Sequence, residues 1–122
     1  MLLDTNILIY ACKPGGEWLA LWTEDPSAAI ASVSRVESLG FHRISAEEEA
    51  ALGRFLSTSI SYPLDEDVIE RAIALRQQKN MGLADAIIAA TALEYDLPLV
   101  TRNADDFDHI AGLRIINPFA DA

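Results

Sequence analysis

The chain has 122 residues, of which 51% are hydrophobic, and its 19 acidic and 9 basic residues give a net charge of −10. This length and apolar content predict one domain over residues 1–122 with a core of its own. The single cysteine, Cys12, excludes an internal disulfide and a cysteine-rich zinc site. No apolar run reaches the roughly 20 residues that cross a membrane and no signal peptide is evident, so we expect a cytoplasmic protein.

The net charge argues at first against a nucleic-acid partner, because Lys and Arg supply most of the non-specific affinity for phosphates. Acidic proteins can still act on nucleic acid if some of their carboxylates are metal ligands. Two divalent ions would add four positive charges and bring −10 to −6, concentrated where a phosphate would sit. A basic partner protein is the other use of such a surface.

In the first half of the chain, the hydrophobic pattern alternates between strand-like and helix-like segments. It predicts a strand at 2–3, helices at 6–11 and 17–23, a strand at 28–32 and a helix at 33–41. Trp18 and Trp22 are four residues apart, so they would share one helix face, which favours a place in the core or at a partner-binding surface.

The second half continues the alternation. A helix opens at the capping box Ser45-x-x-Glu48, and Asp65 caps the next one. Residues 83–95 are apolar on nearly every side, which predicts a central, buried helix. The remaining predicted strands are 59–64, 97–101 and 114–116, with a polar loop at 102–108. The sequence therefore predicts an α/β fold with a mainly parallel central sheet and helices on both faces.

Three carboxylates occupy positions that such a fold would bring to one edge of the sheet. Asp4 ends the first strand, where ligand crevices form in open α/β sheets, although Asp4 or Thr5 could instead cap the helix that follows. Glu37 lies in the first turns of the helix after the second strand, where Ser34-x-x-Glu37 also fits a capping box. Asp85 starts the buried helix, in a first turn expected to be mostly buried, where an unpaired carboxylate is costly and a metal ion would remove the cost.

A further group of oxygen donors follows the strand at 97–101. Thr101, Asn103, Asp105 and Asp106 could be metal ligands, or they could form a solvated loop with Asx turns. Carboxylate and amide oxygens suit Mg²⁺ or Mn²⁺ and not zinc. His42 and His109 have no partner at a useful spacing, so we expect both at the surface and find little support for nucleophilic catalysis.

The segments LLDTNILIY, SRVESLG, GLADAIIAATAL and TRNADDF resemble, in this order, the motifs of the PIN-domain ribonucleases, and most closely those of the VapC-type toxins of prokaryotic toxin–antitoxin pairs. The motifs extend over residues 2–107. The resemblance implies a PIN-like three-layer sandwich, Mg²⁺- or Mn²⁺-dependent hydrolysis of RNA with one or two ions, and products with a 5′-phosphate. It also implies a VapB-type antitoxin, whose C-terminal segment would cover the active-site groove, and a homodimer.

The resemblance also assigns roles to single residues. It implies that the metal-binding and catalytic acids are Asp4, Glu37 and Asp85, and that the site is ordered by Thr5, Asn6 and Thr101. The family's fourth acid often falls where Asn103 stands, and Asp106 follows nearby, so these two are the candidates for a further metal ligand. Arg35 and Arg102 are next to site residues in sequence and could contact phosphates, or could form surface salt bridges.

Two alternatives remain at this point. A PIN-like domain that no longer cleaves RNA and serves only to bind a protein partner is compatible with Asn103. A receiver-type phosphorylation module has a similar length, a parallel sheet and acids at strand ends. It usually needs an acidic pair near its first strand and a late lysine, whereas here one acid ends the first strand and no lysine follows Lys79.

Overall fold

Five short parallel strands form the central sheet of the computed structural model, which describes residues 1–120. They are β1 (Leu2–Leu3), β2 (Ala29–Ala31), β3 (Ile60–Tyr62), β4 (Leu99–Val100) and β5 (Ile115–Ile116). Their order is β3-β2-β1-β4-β5, and every neighbouring pair is parallel. In a receiver-type sheet the first strand lies between the second and the third, whereas here β1 lies between β2 and β4, so the receiver alternative is wrong.

Six α-helices surround the sheet: α1 (Thr5–Ala11), α2 (Ala20–Thr23), α3 (Val33–Leu39), α4 (Ala46–Thr58), α5 (Glu66–Gln78) and α6 (Leu83–Glu94). Single turns of 3₁₀ helix occur at Glu17–Leu19 and Ala104–Asp106. The predicted order of elements is therefore observed, with shorter strands. Among the helices of residues 1–120, none combines the length and the apolar character needed to cross a membrane.

The core has two parts, one on each face of the sheet. Leu2 belongs to the part beneath α5 and α6, while its neighbour Leu3 belongs to the part beneath α1 and α4. Successive strand residues point to opposite faces, so each strand contributes to both parts. This gives the expected three-layer sandwich of helices, sheet and helices.

Local capping signals in the sequence operate as predicted. Ser45 and Glu48 form a reciprocal capping box at the start of α4, and the Asp65 carboxylate accepts a hydrogen bond from the Val68 N–H at the start of α5. Both caps satisfy backbone donors that a helix cannot satisfy itself. The start of each of these helices therefore depends on two residues that are three positions apart in the chain.

The buried helix α6 is confirmed, with one correction. Its residues from Ala86 to Ala92 are buried, as the apolar pattern predicts. Its first turn was expected to be mostly buried, but Leu83 is 61% exposed and Asp85 is half-buried. The first turn of the helix is therefore partly exposed, and Asp85 lies at the boundary between core and solvent.

The predicted helix at 17–23 is interrupted. The chain forms a 3₁₀ turn at Glu17–Leu19 before α2 begins, so Trp18 and Trp22 lie in different elements. Trp22 packs partly buried against the core beneath α1 and α4, whereas Trp18 is 42% exposed. Trp18 also packs on Phe119, which contacts the same part of the core as Trp22, so the shared face stays a prediction.

We predict that Ile88→Ala lowers the free energy of unfolding by about 2–5 kcal/mol, because it leaves a cavity in the core on the α6 side. Ile88 is 1% exposed. The matched control is Leu21→Ala, since Leu21 is 81% exposed and its truncation should change stability by about 0.5 kcal/mol or less. Urea denaturation measures both, and equal midpoints would contradict the assigned core.

Candidate active site

Asp4 lies immediately after β1, and both of its carboxylate oxygens are hydrogen-bonded. Oδ1 accepts from the Thr5 backbone N–H at 2.7 Å, and Oδ2 accepts from the Thr101 hydroxyl at 2.7 Å. Asp4 is the N-cap residue of α1 and is 5% exposed. The capping interpretation and the strand-end interpretation are therefore both correct: the same side chain begins α1 and lies at the carboxyl edge of the sheet.

The Thr101 hydroxyl is itself held in place. It accepts a hydrogen bond from the Asn103 backbone N–H at 3.0 Å, so its single proton is directed to Asp4. Asn103 thus supports the site through its backbone, while its side chain is exposed. Thr101 is fully buried, which strengthens a hydrogen bond to a charged acceptor.

Glu37 is joined to the same corner by Thr5. The Thr5 hydroxyl donates to Glu37 Oε1 at 2.7 Å and lies 2.9 Å from the buried Ser34 Oγ. The N-cap of α3 is Ser32, and its side chain makes no capping hydrogen bond, so Ser34 lies inside the helix. The capping-box alternative for Ser34 and Glu37 is therefore wrong, because both side chains are directed to Thr5 of α1.

The carboxylates of the site repel one another. The pKa of the Asp4 carboxyl is raised from 3.8 to about 6, because burial and, to a smaller extent, the charges of Asp85 and Glu37 outweigh the hydrogen bonds from Thr101 and Thr5 that lower it. Burial also raises the pKa of the Asp85 carboxyl, with the charges of Asp106 and Glu37 acting in the same direction. The three acids that the topology predicted to converge, Asp4, Glu37 and Asp85, therefore lie close enough for their charges to interact, and Asp106 also acts on Asp85.

No basic side chain compensates this charge in the part of the chain that the structure describes. The ion pairs found there are Arg71 with Glu94 and Arg114 with Asp96, and neither involves a site acid. Asp4 is buried and Asp85 half-buried, while Glu37 and Asp106 are exposed. Keeping the first two ionised without a cation is unfavourable, and a bound metal ion is one way to relieve this cost.

The donor set suits a hard cation in its chemistry. The acids supply only oxygen ligands, as Mg²⁺ and Mn²⁺ prefer. Within residues 1–120, no group of three or more His, Cys, Asp or Glu side chains already stands close enough to hold an ion. Mutual repulsion gives these carboxylates no reason to converge before a cation is bound.

The other predicted site residues lie around this corner. The Asn6 side-chain oxygen is 3.5 Å from the Arg102 backbone nitrogen. Asp106 is exposed in the 3₁₀ turn after β4 and influences Asp85. Arg35 is exposed on α3, two residues before Glu37, and the Arg102 guanidinium lies over aromatic rings. Within residues 1–120 neither arginine forms a salt bridge, and the roles of both remain predictions.

His109 is a residue whose surroundings the sequence did not predict. His42 is exposed as expected, but both ring nitrogens of His109 are buried and have no hydrogen-bond partner within the described residues. The ring borders a cavity of about 240 Å³ that Asp85 and Asp106 also line. The sequence feature that could have indicated these surroundings is the position of His109 between Phe107 and Ile110, which are both core residues.

Comparison with known proteins identifies the family of this chain. The PIN domain family matches residues 1–113. This chain belongs to the PIN-domain family. This PIN domain is 31% identical to the Ribonuclease VapC10 of Mycobacterium tuberculosis, and the alignment covers 98% of this chain and 93% of that protein. The resemblance found in the four motifs is thereby confirmed over nearly the whole chain.

Solved structures give the same result for the fold. A toxin–antitoxin complex from Klebsiella pneumoniae contains a chain that superposes on this PIN domain with a TM-score of 0.76 and 35% identity, covering 97% of both chains. VapBC2 from Rickettsia felis, bound to a DNA fragment from its promoter, gives a TM-score of 0.78 with 25% identity, covering 95% of this chain and 96% of that one. The PIN-like three-layer sandwich is confirmed.

The raised pKa of Asp4 predicts a pH-dependent stability in the metal-free protein. The folded state binds the proton of the Asp4 carboxyl more tightly than the unfolded state does. The stability that this protonation contributes is therefore complete below about pH 3.8 and is lost as the pH rises through about 6. From about pH 4 to about pH 7 in EDTA, the free energy of unfolding of the wild type should fall by about 1–3 kcal/mol relative to Asp4→Asn. Urea denaturation across this range measures the difference, and parallel curves would contradict it.

Proposed function

We propose that this PIN domain is a metal-dependent endoribonuclease and the toxin of a VapBC-type toxin–antitoxin pair. The observation that carries the proposal is the buried, hydrogen-bonded Asp4 carboxylate beside Glu37 and Asp85, at the edge where β1 ends. The similarity to a protein named Ribonuclease VapC10 and to solved VapBC structures supports RNA as the substrate and a VapB-type partner.

In this proposal, Asp4, Glu37 and Asp85 hold one or two ions of Mg²⁺ or Mn²⁺. Such an ion, when bound, supplies an activated water and neutralises charge on the scissile phosphate and the leaving oxygen. Asp106 is a candidate for a further carboxylate ligand, because its charge already acts on Asp85. The Asn103 side chain is the other candidate for a further oxygen ligand.

The chain's own hydrogen bonds prepare Asp4 for this role. The hydroxyl of Thr101 and the backbone N–H of Thr5 lower the pKa of Asp4 against the effect of burial, so they favour the ionised form that binds a cation. Thr5 also orients Glu37 through its hydroxyl. Asn6 lies between these residues and Arg102, which with Arg35 is a candidate for contacts to flanking phosphates.

The partners in this proposal are a VapB-type antitoxin and a second copy of the chain. The acidic surface suits a basic antitoxin segment. A second copy would cover the apolar groove of about 410 Å³ between α5 and α6, where Leu64, Ile73 and Leu83 are 44%, 46% and 61% exposed. Exposed apolar patches of this kind are typical of protein interfaces.

We predict that the protein expressed alone has twice the mass of one chain in native mass spectrometry. Ile73→Asp should shift it to the single-chain mass, because a charge would be buried in the α5–α6 groove. Val36→Asp is the matched control, since Val36 is 72% exposed on α3, away from the groove. A dimer that survives Ile73→Asp would place the interface elsewhere.

The metal site is tested by Mn²⁺ titration calorimetry and by RNA cleavage. Saturable Mn²⁺ binding and Mn²⁺-stimulated cleavage should be lost in Asp4→Asn and Asp85→Asn, by about 100-fold or more in cleavage rate, because each removes a charged metal ligand. Asp67→Asn is the matched control: Asp67 lies in the first turn of α5 as Asp85 does in that of α6, but it is exposed and outside the acid cluster. Circular dichroism verifies that each variant is folded.

The outcomes separate the enzyme from the non-catalytic PIN-like domain. A folded wild type that neither binds Mn²⁺ nor cleaves RNA, yet binds a VapB-type protein, would support the protein-binding alternative. Cleavage at the wild-type rate by folded Asp85→Asn would overturn the assignment of the site.

A further inference from the structure

An exposed cation, two residues after the end of β4, lies on a platform of aromatic rings. The platform consists of Tyr10, Trp18 and Phe119, and together with Arg102 we call it the Arg102–aromatic cluster. We propose that this cluster binds the nucleotide next to the scissile phosphate of a single-stranded RNA, with Arg102 on a phosphate and Trp18 stacked on a base. The proposal rests on the proposed ribonuclease function and adds the residues that position its substrate.

The rings hold Arg102 in a defined place. Its guanidinium carbon lies 4.6 Å from the centroid of the Tyr10 ring and 4.8 Å from that of Phe119. Phe119 in turn packs edge-to-face against Tyr10 at 5.5 Å and against Trp18 at 4.9 Å. Cation–π contacts and edge-to-face ring pairs are both favourable geometries, so the cluster is ordered before any ligand arrives.

The same backbone that builds the acid site carries the cluster. Arg102 follows Thr101, whose hydroxyl donates to Asp4, and Tyr10 lies on α1, which begins directly after Asp4. The Asn117 side chain donates to the Arg102 carbonyl at 3.3 Å and so connects the segment of Phe119 to the end of β4. The cluster is thus built on the segments that directly follow Thr101 and Asp4 in the chain.

The chemistry of the cluster fits single-stranded RNA. Arg102 is exposed and has no carboxylate partner in the described residues, and a guanidinium is well suited to a phosphate. Trp18 is 42% exposed, which leaves indole surface free for a base, and stacking is sequence-tolerant because every base has a π-face. RNA recognition by stacking also requires unpaired bases.

The charge of the chain strengthens this choice. With a net charge of −10, the protein repels a polyanion except where a cation has been fixed in place. Arg102 is fixed by the rings, and it directly follows Thr101, whose hydroxyl donates to Asp4 of the proposed site. A basic protein segment would gain nothing from the guanidinium, so the cluster favours RNA over such a partner.

The test uses Trp18 as its own reporter. In Trp22→Phe protein that also carries Asp85→Asn to prevent cleavage, Trp18 is the single tryptophan, and its fluorescence should be quenched by hexaadenylate or hexauridylate. Fluorescence anisotropy of the labelled hexanucleotides should show about 10-fold weaker binding after Trp18→Ala or Arg102→Gln. Trp18→Phe should retain most of the affinity, because it retains a ring.

Matched controls separate the cluster from general surface effects. Leu21→Ala removes an apolar side chain that is 81% exposed, and Arg114→Gln removes a cation that is paired with Asp96, so neither should change RNA affinity by more than about 2-fold. In protein with Asp85 intact, Trp18→Ala should raise KM for RNA cleavage more than it lowers kcat, because it removes binding and leaves the acids in place.

Each outcome decides the proposal. Unquenched Trp18 fluorescence with unchanged affinity in both variants, while the wild type still cleaves RNA, overturns the cluster and leaves the ribonuclease function standing. Weaker binding of a co-expressed antitoxin with unchanged RNA affinity identifies a protein interface and also overturns it. If the wild type neither binds nor cleaves RNA, the proposed function fails and this inference fails with it.

Discussion

The hydrogen bond from Thr101 to Asp4 connects the ends of two neighbouring strands, and the candidate site is arranged around it. A buried carboxylate is tolerated only when its oxygens have partners. Asp4 ends the middle strand of the sheet, so it receives one partner from β4 and one from the start of α1. The neighbouring strand β2 leads into α3, so α3 also begins near the end of β1. The Thr5 hydroxyl joins α1 to α3 by donating a hydrogen bond to Glu37.

These hydrogen bonds offset only part of the electrostatic cost of the site. The pKa of Asp4 is still raised to about 6, because burial and the neighbouring acids outweigh the hydrogen bonds that favour its charge. The fold maintains this arrangement because α6 is anchored by its buried residues and has little freedom to withdraw Asp85. A cluster of this kind is unfavourable by itself and becomes favourable with a cation, which connects the electrostatics to the metal dependence that we propose.

The contrast between the acids and Arg102 explains how an acidic protein could bind RNA in the function that we propose. The surface as a whole repels phosphates, yet one guanidinium is held between aromatic rings directly after the strand that supplies Thr101. Rings and cation are ordered by contacts within the protein, so a ligand would not bear the cost of arranging them. In the function that we propose, the acids would act on a phosphodiester and the Arg102–aromatic cluster would bind the adjoining nucleotide.

The sequence by itself determined the features that depend on near neighbours: the order of helices and strands, the caps at Ser45 and Asp65, the buried helix α6, and the acids at strand and helix ends. Tertiary structure decided which of two local interpretations applied. Ser34-x-x-Glu37 has the form of a capping box, but both side chains turn to Thr5, up to 32 positions away in the chain. Likewise, the burial of His109 and the rings beside Arg102 follow from packing between distant segments. Capping and periodicity act within a few residues and can be predicted from the sequence, whereas these contacts exist only once the sheet has brought its strand ends together.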